Sequence, residues 1–538
     1  MDSASLMRKV DSLKADLIIL VIILIACLKY TSGIEKMLDI GLYDETAYLF
    51  GGVLLAKIGL IPDAVASPLY SIWYFILYLF EPDRINLYYL NYKLMMILPP
   101  VLIYILLRRN GVSILVSSFA AWFMLLSPAN ADTWPKIAHF ALVAVFVVFI
   151  WISRMESFHT AAFFASAGTL LVSYIRPEYF LAYLLSLLIV VFVFVAKYRK
   201  QKTSRLIAGL AAYCLISILL LSIFGLPIGD RSFLAFGQHF SVNWATWTGS
   251  PINPYTNWEQ IVVENFGSAT HGIMNAFVSN PAIFLKHLVY NIWGLARGFV
   301  NIYGSLILPV SFLPDMGSRI LATLSLIALC IVYIPNIRRN FPPHKNFFMI
   351  IGLFLIPELI SAVVIYPRDH YLFLICALSV IPTAILLDDH TEKHSNNKRV
   401  MYSPWLLLGL LIIALTPYRY AVQVGNDQPN LNTIQYLQSL GIEKEVNVLE
   451  AEGGFNSYLG DNFHRVVEYD KTTDFPAFLR EKNINMIVLS SNLLQDTRFK
   501  DDPEWRDFLE NYASFGFVQM NISNTDRKLL VQDNLLPK

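Results

Sequence analysis

The sequence predicts a polytopic α-helical membrane protein with a C-terminal α/β domain outside the bilayer. Three observations lead there. Of 538 residues, 56% are hydrophobic and only 15% are charged, a composition suited to lipid rather than to a water-exposed surface. Apolar runs of span length recur from residue 16 to residue 418. The composition then changes: Ala421 to Lys538 holds 18 Asp/Glu against 11 Lys/Arg, net −7, with short strand-like and helix-like segments in alternation.

A span needs about 20 apolar residues, fewer where flanking side chains snorkel. Runs at 16–30, 85–107, 112–127, 137–153, 158–174, 179–197, 205–224, 318–336, 346–366, 370–388 and 403–418 give about 11 transmembrane helices. Arg8, Lys9 and Lys14, then Arg108 and Arg109, Arg154, the cluster from Lys197 to Arg205, Arg338, Arg339 and Lys345, and finally Lys393, Lys398 and Arg399 all fall on one side of such a chain. By the positive-inside bias that side is cytoplasmic, the N-terminus with it, and the C-terminal domain is non-cytoplasmic. Residues 281–299 are apolar but interrupted by Lys286, His287 and Arg297. They read as a helix lying in the outer interface, with 300–316 a short interfacial or re-entrant piece. The domain organisation is thus a membrane domain, 1–420, with outer loops 31–84 and 225–317, followed by an α/β domain, 421–538. Within the latter, periodicity predicts helices at 431–440, 475–482 and 504–512 and strands at 446–449, 466–469, 486–489, 516–520 and 528–531.

Several classes drop out. No basic tract stands clear of a membrane flank, which argues against nucleic acid. The cysteines, Cys27, Cys214, Cys330 and Cys376, lie in apolar runs and cannot staple the polar domain. Residues 1–15 lack a small-residue cleavage site, so the first span is expected to remain as an anchor. No GxGxxG, GxxxxGK[ST] or GxSxG pattern occurs in the α/β domain, leaving a nucleotide or hydrolase site without support.

The polar residues that stand out lie beside the spans. Asp44 and Glu45 follow the first apolar run after a short connection. An acid pair at a membrane mouth is a candidate catalytic site; the competing reading is two acids opening a surface helix. Three outer turns pair cations with Pro and aromatics: Asn130 to Lys136, Tyr174-Ile175-Arg176-Pro177-Glu178-Tyr179, and Tyr366-Pro367-Arg368-Asp369-His370-Tyr371. Lys136, Arg176 and Arg368, with His370, His239 and Tyr48, are candidates for binding a lipid phosphate or its substrate. The competing reading makes Arg176–Glu178 and Arg368–Asp369 ion pairs that only stabilise their turns. Trp244, Trp247 and Trp258 would form a sugar platform or, equally, an interfacial anchor.

Tyr43-Asp44-Glu45-Thr46-Ala47-Tyr48, the following Ser67-Pro68-Leu69-Tyr70, Arg176-Pro177-Glu178 and Tyr366-Pro367-Arg368 with Tyr371-Leu372 together resemble the GT-C glycosyltransferase superfamily. In style they are similar to the protein O-mannosyltransferases and the bacterial aminoarabinose transferase of lipid A. The resemblance covers about 1–420 and implies transfer of a sugar from a polyprenyl-phosphate donor at the non-cytoplasmic face, Asp44 acting on the acceptor with Glu45 its partner. The acceptor, whether glycan, lipid or protein, is not implied.

The chemistry is coherent on its own terms. Displacement at an anomeric carbon needs a base for the acceptor's proton and positive charge for the departing phosphate. Adjacent helical residues point about 100° apart, so only one acid can be the base; Asp44, sharing a face with Tyr48, is the expected one. No cofactor is implied with certainty, while a divalent metal between acid and phosphate is left open. Two rivals stand: a non-enzymatic lipid or glycan transporter, and a polymerase or ligase of lipid-linked oligosaccharides. The compact loops favour a bacterial inner membrane.

Overall fold

The computed structural model describes residues 3–307, 334–388, 402–419 and 427–536, except 156, 201–203, 230, 251, 256, 268–271, 467–473 and 497. Between 308 and 333 it describes only 317, 320, 324, 327, 328 and 331. More than half of the expected span 318–336, most of the expected strand 466–469, and Lys393, Lys398 and Arg399 lie outside the described residues.

Contacts divide the chain into two units, one of 1–30, 62–69 and 94–416, the other of 31–61, 70–93 and 417–538. The first is a helical bundle. Among the described residues, six helices are long and apolar enough to cross a membrane, Leu13–Lys36, Arg84–Arg109, Tyr179–Arg199, Leu206–Phe224, Ile334–Val364 and Asp369–Leu387. Four shorter apolar helices accompany them, Ile114–Leu126, Ile137–Ile152, Phe158–Ser173 and Pro404–Leu415. Large apolar side chains such as Leu188, Val191, Phe192, Leu215 and Ile218 point out of the bundle; a hydrocarbon surrounding stabilises such a surface, and water does not. The chain is an integral membrane protein.

One end of the bundle gathers turns that carry the basic residues. Arg108 pairs with Asp16 at 2.7 Å, Ser113 N–H donates to Asp388 at 3.2 Å, and the Asn340 amide donates to the carbonyl of Asp388 at 2.9 Å. Arg338, Arg339 and Lys345 sit within the helix Ile334–Val364, which runs through Pro342 and Pro343, so helix continues where a loop is expected. At the opposite end, Leu69 N–H bonds the Tyr174 carbonyl at 3.2 Å, the Tyr174 hydroxyl bonds the Gly225 carbonyl at 2.8 Å, and Asn291 bonds the Val363 carbonyl at 2.9 Å.

One sequence expectation is corrected here. Residues Pro281–Ile307 form a single 27-residue helix, not an interfacial helix ending at 299 with a separate piece after it. It packs alongside Asp369–Leu387: a Cβ on Gly294 would lie 2.7 Å from Pro367, one on Gly298 would lie 2.3 Å from Leu372, and the Tyr303 hydroxyl meets that of Thr383 at 2.5 Å. Glycines at these crossings let the two backbones approach, a packing that a reading of local hydrophobicity does not register.

The second unit is built on a five-stranded sheet of β1 (Val446–Leu449), β2 (Phe463–Arg465), β3 (Met486–Leu489), β4 (Phe517–Asn521) and β5 (Lys528–Gln532), in the order β2-β1-β3-β5-β4. β1 is parallel to both β2 and β3, and β5 is antiparallel to β3 and β4. β3 is buried along its length, as its unbroken apolar run requires of a central strand. Phe475, Phe478, Phe499, Trp505, Phe508 and Phe517 pack one core with Leu449 and Ile487. Asp474 and Asp502 cap the helices Phe475–Glu481 and Pro503–Asn511, accepting from Ala477 N–H at 2.8 Å and Glu504 N–H at 3.0 Å.

Residues 31–61 and 70–93 are part of this same unit. Asp39 accepts from the first-turn N–H groups of Asn430 and Leu431 at 3.0 and 2.9 Å, capping the helix Pro429–Ser439 from another part of the chain, where unpaired N–H groups favour an anion. Arg84 donates to the carbonyls of Ser457 and Leu459 at 3.2 and 2.6 Å and to Asp461 at 2.5 Å. Lys57 also pairs with Asp461.

Candidate functional site

In the α/β-containing unit, Asp44 and Glu45 open the helix Asp44–Ile58, and one helical step sends them to different surroundings. Glu45 is fully buried. Its Oε1 accepts from the hydroxyls of Tyr70 and Tyr74, both at 2.6 Å, and from the Asn91 amide at 3.3 Å. Asn91 in turn donates to both hydroxyls at 2.7 and 2.8 Å and accepts from the Trp73 indole at 2.9 Å. This network locks helix 44–58 to helix Pro68–Tyr78. Tyr48, 4% exposed, lies in the same packing with its ring 5.2 Å from that of Tyr70. Asp44 is half-buried, and no hydrogen bond or ion pair among the described residues engages its carboxylate.

The residue before Asp44 is strained. Tyr43 has φ 61° and ψ −118°, where a side chain that is not glycine costs about 1–3 kcal/mol. Its N–H donates to the Gly453 carbonyl at 2.9 Å, in a loop whose acids are buried despite the acidic composition of the domain: Glu450 and Glu452 are 2% and 4% exposed. Glu450 accepts from the N–H groups of Gly453 and Gly454 at 2.7 and 2.8 Å and pairs with Arg465 at 2.9 Å. Burial pushes the Glu452 carboxyl above the usual range. Burial, reinforced by these two carboxylates, likewise raises the Tyr43 phenol. The signal available in the sequence was the Glu-Ala-Glu-Gly-Gly run just after a strand.

In the bundle, the outer-turn candidates separate into three kinds. Lys136 is 1% exposed and caps the carbonyls of Asn130 and Ala131 at 3.2 and 2.9 Å. Arg176 is 5% exposed, donates to Glu178 at 2.6 Å, lies 3.6 Å from Glu358 and stacks over Tyr371 at 4.5 Å. The ion-pair alternative describes it. Glu358, fully buried on helix Ile334–Val364, had no sequence signal because its partner lies 182 positions away. Arg368 differs: it is half-buried, and neither Asp369 nor any other described carboxylate pairs with it.

Beside Arg368 is His239, from helix Arg231–Thr248, 2% exposed, with neither ring nitrogen hydrogen-bonded among the described residues. Its ring stacks on Tyr366 at 5.0 Å. Burial, then the Arg368 charge, pushes its pKa down to about 3, so the ring is a neutral donor and acceptor. His370 completes the group, its ring 4.5 Å from that of Tyr371 and its charged neighbours Arg176 and Arg368. A guanidinium and a neutral imidazole, both without partners among the described residues, form an arrangement able to take an anion with charge and hydrogen bonds together. Among the described residues, no three His, Cys, Asp or Glu side chains converge as metal ligands would.

No protein-family model matches the chain, and no curated protein is detectably similar to it. Among solved structures, it is similar to the archaeal oligosaccharyltransferase AglB from Archaeoglobus fulgidus, in complex with an inhibitory peptide and a dolichol-phosphate, with 11% identity and a TM-score of 0.43 over 88% of this chain and 69% of that one. It is also similar to ArnT from Cupriavidus metallidurans bound to undecaprenyl phosphate, with 11% identity and a TM-score of 0.42 over 98% of this chain and 99% of that one.

Proposed function

We propose that this integral membrane protein is a GT-C-type glycosyltransferase that moves a sugar from a polyprenyl-phosphate donor to a glycan, lipid or protein acceptor on the non-cytoplasmic side. The observation that carries the reading is the Asp44 carboxylate: half-buried and unengaged among the described residues, while its neighbour Glu45 is fully committed to a hydrogen-bond network. Asp44 is the general base. It takes the proton of the acceptor's O–H, the acceptor oxygen forms a bond to the anomeric carbon, and the carbon–oxygen bond to the carrier breaks. The electron pair leaves with the polyprenyl phosphate. Arg368, with His239 and His370, receives the donor phosphate and its developing charge.

The arrangement of basic turns at one end of the bundle supports a cytoplasmic N-terminus and an outward-facing C-terminal domain, in a bacterial inner membrane. Mass spectrometry of surface glycans and lipids from cells with and without the protein tests the function. Loss of one saccharide substituent is the expected result; an unchanged profile, with the protein present at normal levels in the control, would reject it.

A further inference from the structure

We propose that Glu450 of the α/β domain is a positioning residue for Asp44, acting through the Gly453–Gly454 loop; the inference rests on the reading of Asp44 as the base. The backbone torsions of Tyr43 set where Asp44 leaves the chain, and they lie in a costly region that persists only where the surroundings over-determine it. Those surroundings come from one loop. Gly453 carbonyl holds Tyr43 N–H at 2.9 Å. The Thr46 hydroxyl donates to the Tyr43 carbonyl at 2.5 Å and lies 3.4 Å from the Gly453 carbonyl. Tyr458 donates to the carbonyl of Gly41 at 2.7 Å, fixing the corner from the other side.

The loop can approach this closely because both glycines are required. Gly453 has φ +82° and Gly454 φ +133°; a Cβ on the first would lie 2.6 Å from the Tyr43 ring, and one on the second 2.6 Å from the Thr46 hydroxyl oxygen. Two successive N–H groups then point inward, and the buried Glu450 carboxylate accepts both. Without that carboxylate, the two donors are left unsatisfied and the loop has no reason to keep its shape. Glu450 therefore holds the loop, the loop holds Tyr43, and Tyr43 aims Asp44.

The test uses the full-length protein in detergent-solubilised cell membranes, which supply the acceptor, with a panel of undecaprenyl-phosphate hexoses and pentoses, following release of undecaprenyl phosphate. For a donor that turns over, Glu450→Ala should lower kcat about 10–100-fold, the scale of a misplacement near 1 Å, and leave the donor KM within about twofold. Glu450→Gln, retaining one acceptor, should recover part of the rate. In Asp44→Asn protein, Glu450→Ala should add no further loss, since a positioning residue has nothing left to aim. A Glu450→Ala loss that multiplies with that of Asp44→Asn, or that appears mainly in KM, would overturn the inference. So would wild-type kcat in Glu450→Ala alongside a crippled Asp44→Asn. Wild-type kcat in Asp44→Asn instead removes the base assignment itself, as does turnover of no donor. Should Glu450→Ala not fold, Thr46→Val carries the same comparison: a severalfold kcat loss, absent in the Asp44→Asn background.

Discussion

The turns 174–179 and 366–371 contain nearly the same inventory, Tyr, Pro, Arg, an acid and an aromatic, yet their arginines have opposite fates. Arg176 is buried between Glu178 and Glu358 and covered by Tyr371. Arg368 is half-buried and unpaired among the described residues. The difference lies inside the turn, where Glu178 reaches Arg176 while Asp369 does not pair with Arg368, and outside it, where helix Ile334–Val364 delivers a second carboxylate to Arg176. Asp44 and Glu45 repeat the division in the other unit. In each pair one member stabilises the structure and the other is left available for chemistry.

The sharpest way to break this comparison is to neutralise both acids. Asp44→Asn should lower turnover by ~10²–10⁴-fold, the usual contribution of a general base, with the melting temperature unchanged. Glu45→Gln should do the reverse, losing about 1–3 kcal/mol of stability as one acceptor of charge-assisted hydrogen bonds becomes a donor, with turnover per folded molecule nearly intact. Equal kcat losses in the two variants, at unchanged melting temperatures, would erase the distinction.

The arginines should divide in the same way. Arg176→Ala strands two carboxylates in a buried site and should cost about 3–5 kcal/mol, read as a lowered thermal midpoint in detergent. Arg368→Ala should leave that midpoint alone and raise the donor KM about 10–100-fold, as the loss of a charged hydrogen bond implies; Arg368→Lys should recover only part, since an ammonium cannot bind bidentately. A normal donor KM in Arg368→Ala would leave the phosphate without its assigned partner.

The smallest effect concerns His239. Its folded pKa, about 3, lies below the ~6.5 of an unfolded chain. Falling pH therefore protonates the unfolded state first, and stability declines from about pH 6.5 downward while remaining level above it. Between pH 6.5 and 5 the wild type should lose about 2 kcal/mol that His239→Gln does not. Parallel stability curves for the two proteins would show a histidine that water reaches.

Much of this was legible from local sequence. The apolar runs mark the helices because hydrocarbon demands continuous apolar length, and Met486–Leu489 reads as a buried strand for the same reason in miniature. Asp474 and Asp502 announce helix starts. Asp44 and Arg368 could be named as candidates from position and company. What could not be read was which polar residues have partners distant in sequence: Glu358 for Arg176, Tyr70, Tyr74 and Asn91 for Glu45, and the Gly453–Gly454 loop for Tyr43. The packing of helix Pro281–Ile307 escaped for a related reason, since its polar residues are answered by neighbours: His287 meets the Val364 carbonyl at 3.1 Å.

The cap that Asp39 places on helix Pro429–Ser439, and the contact of Thr46 with Gly453 across 407 positions of sequence, impose an order on biogenesis. At about 5–20 residues per second, the Asp44 corner leaves the ribosome roughly 20–80 s before the loop that shapes it. Through that interval the first outer segment lacks its partners, and the corner reaches its final form only after the α/β sheet has been delivered. Synthesis of the bundle and maturation of the acid are thus separate events in time, and a chain halted before residue 450 would hold helices of the bundle with the Asp44 corner unset.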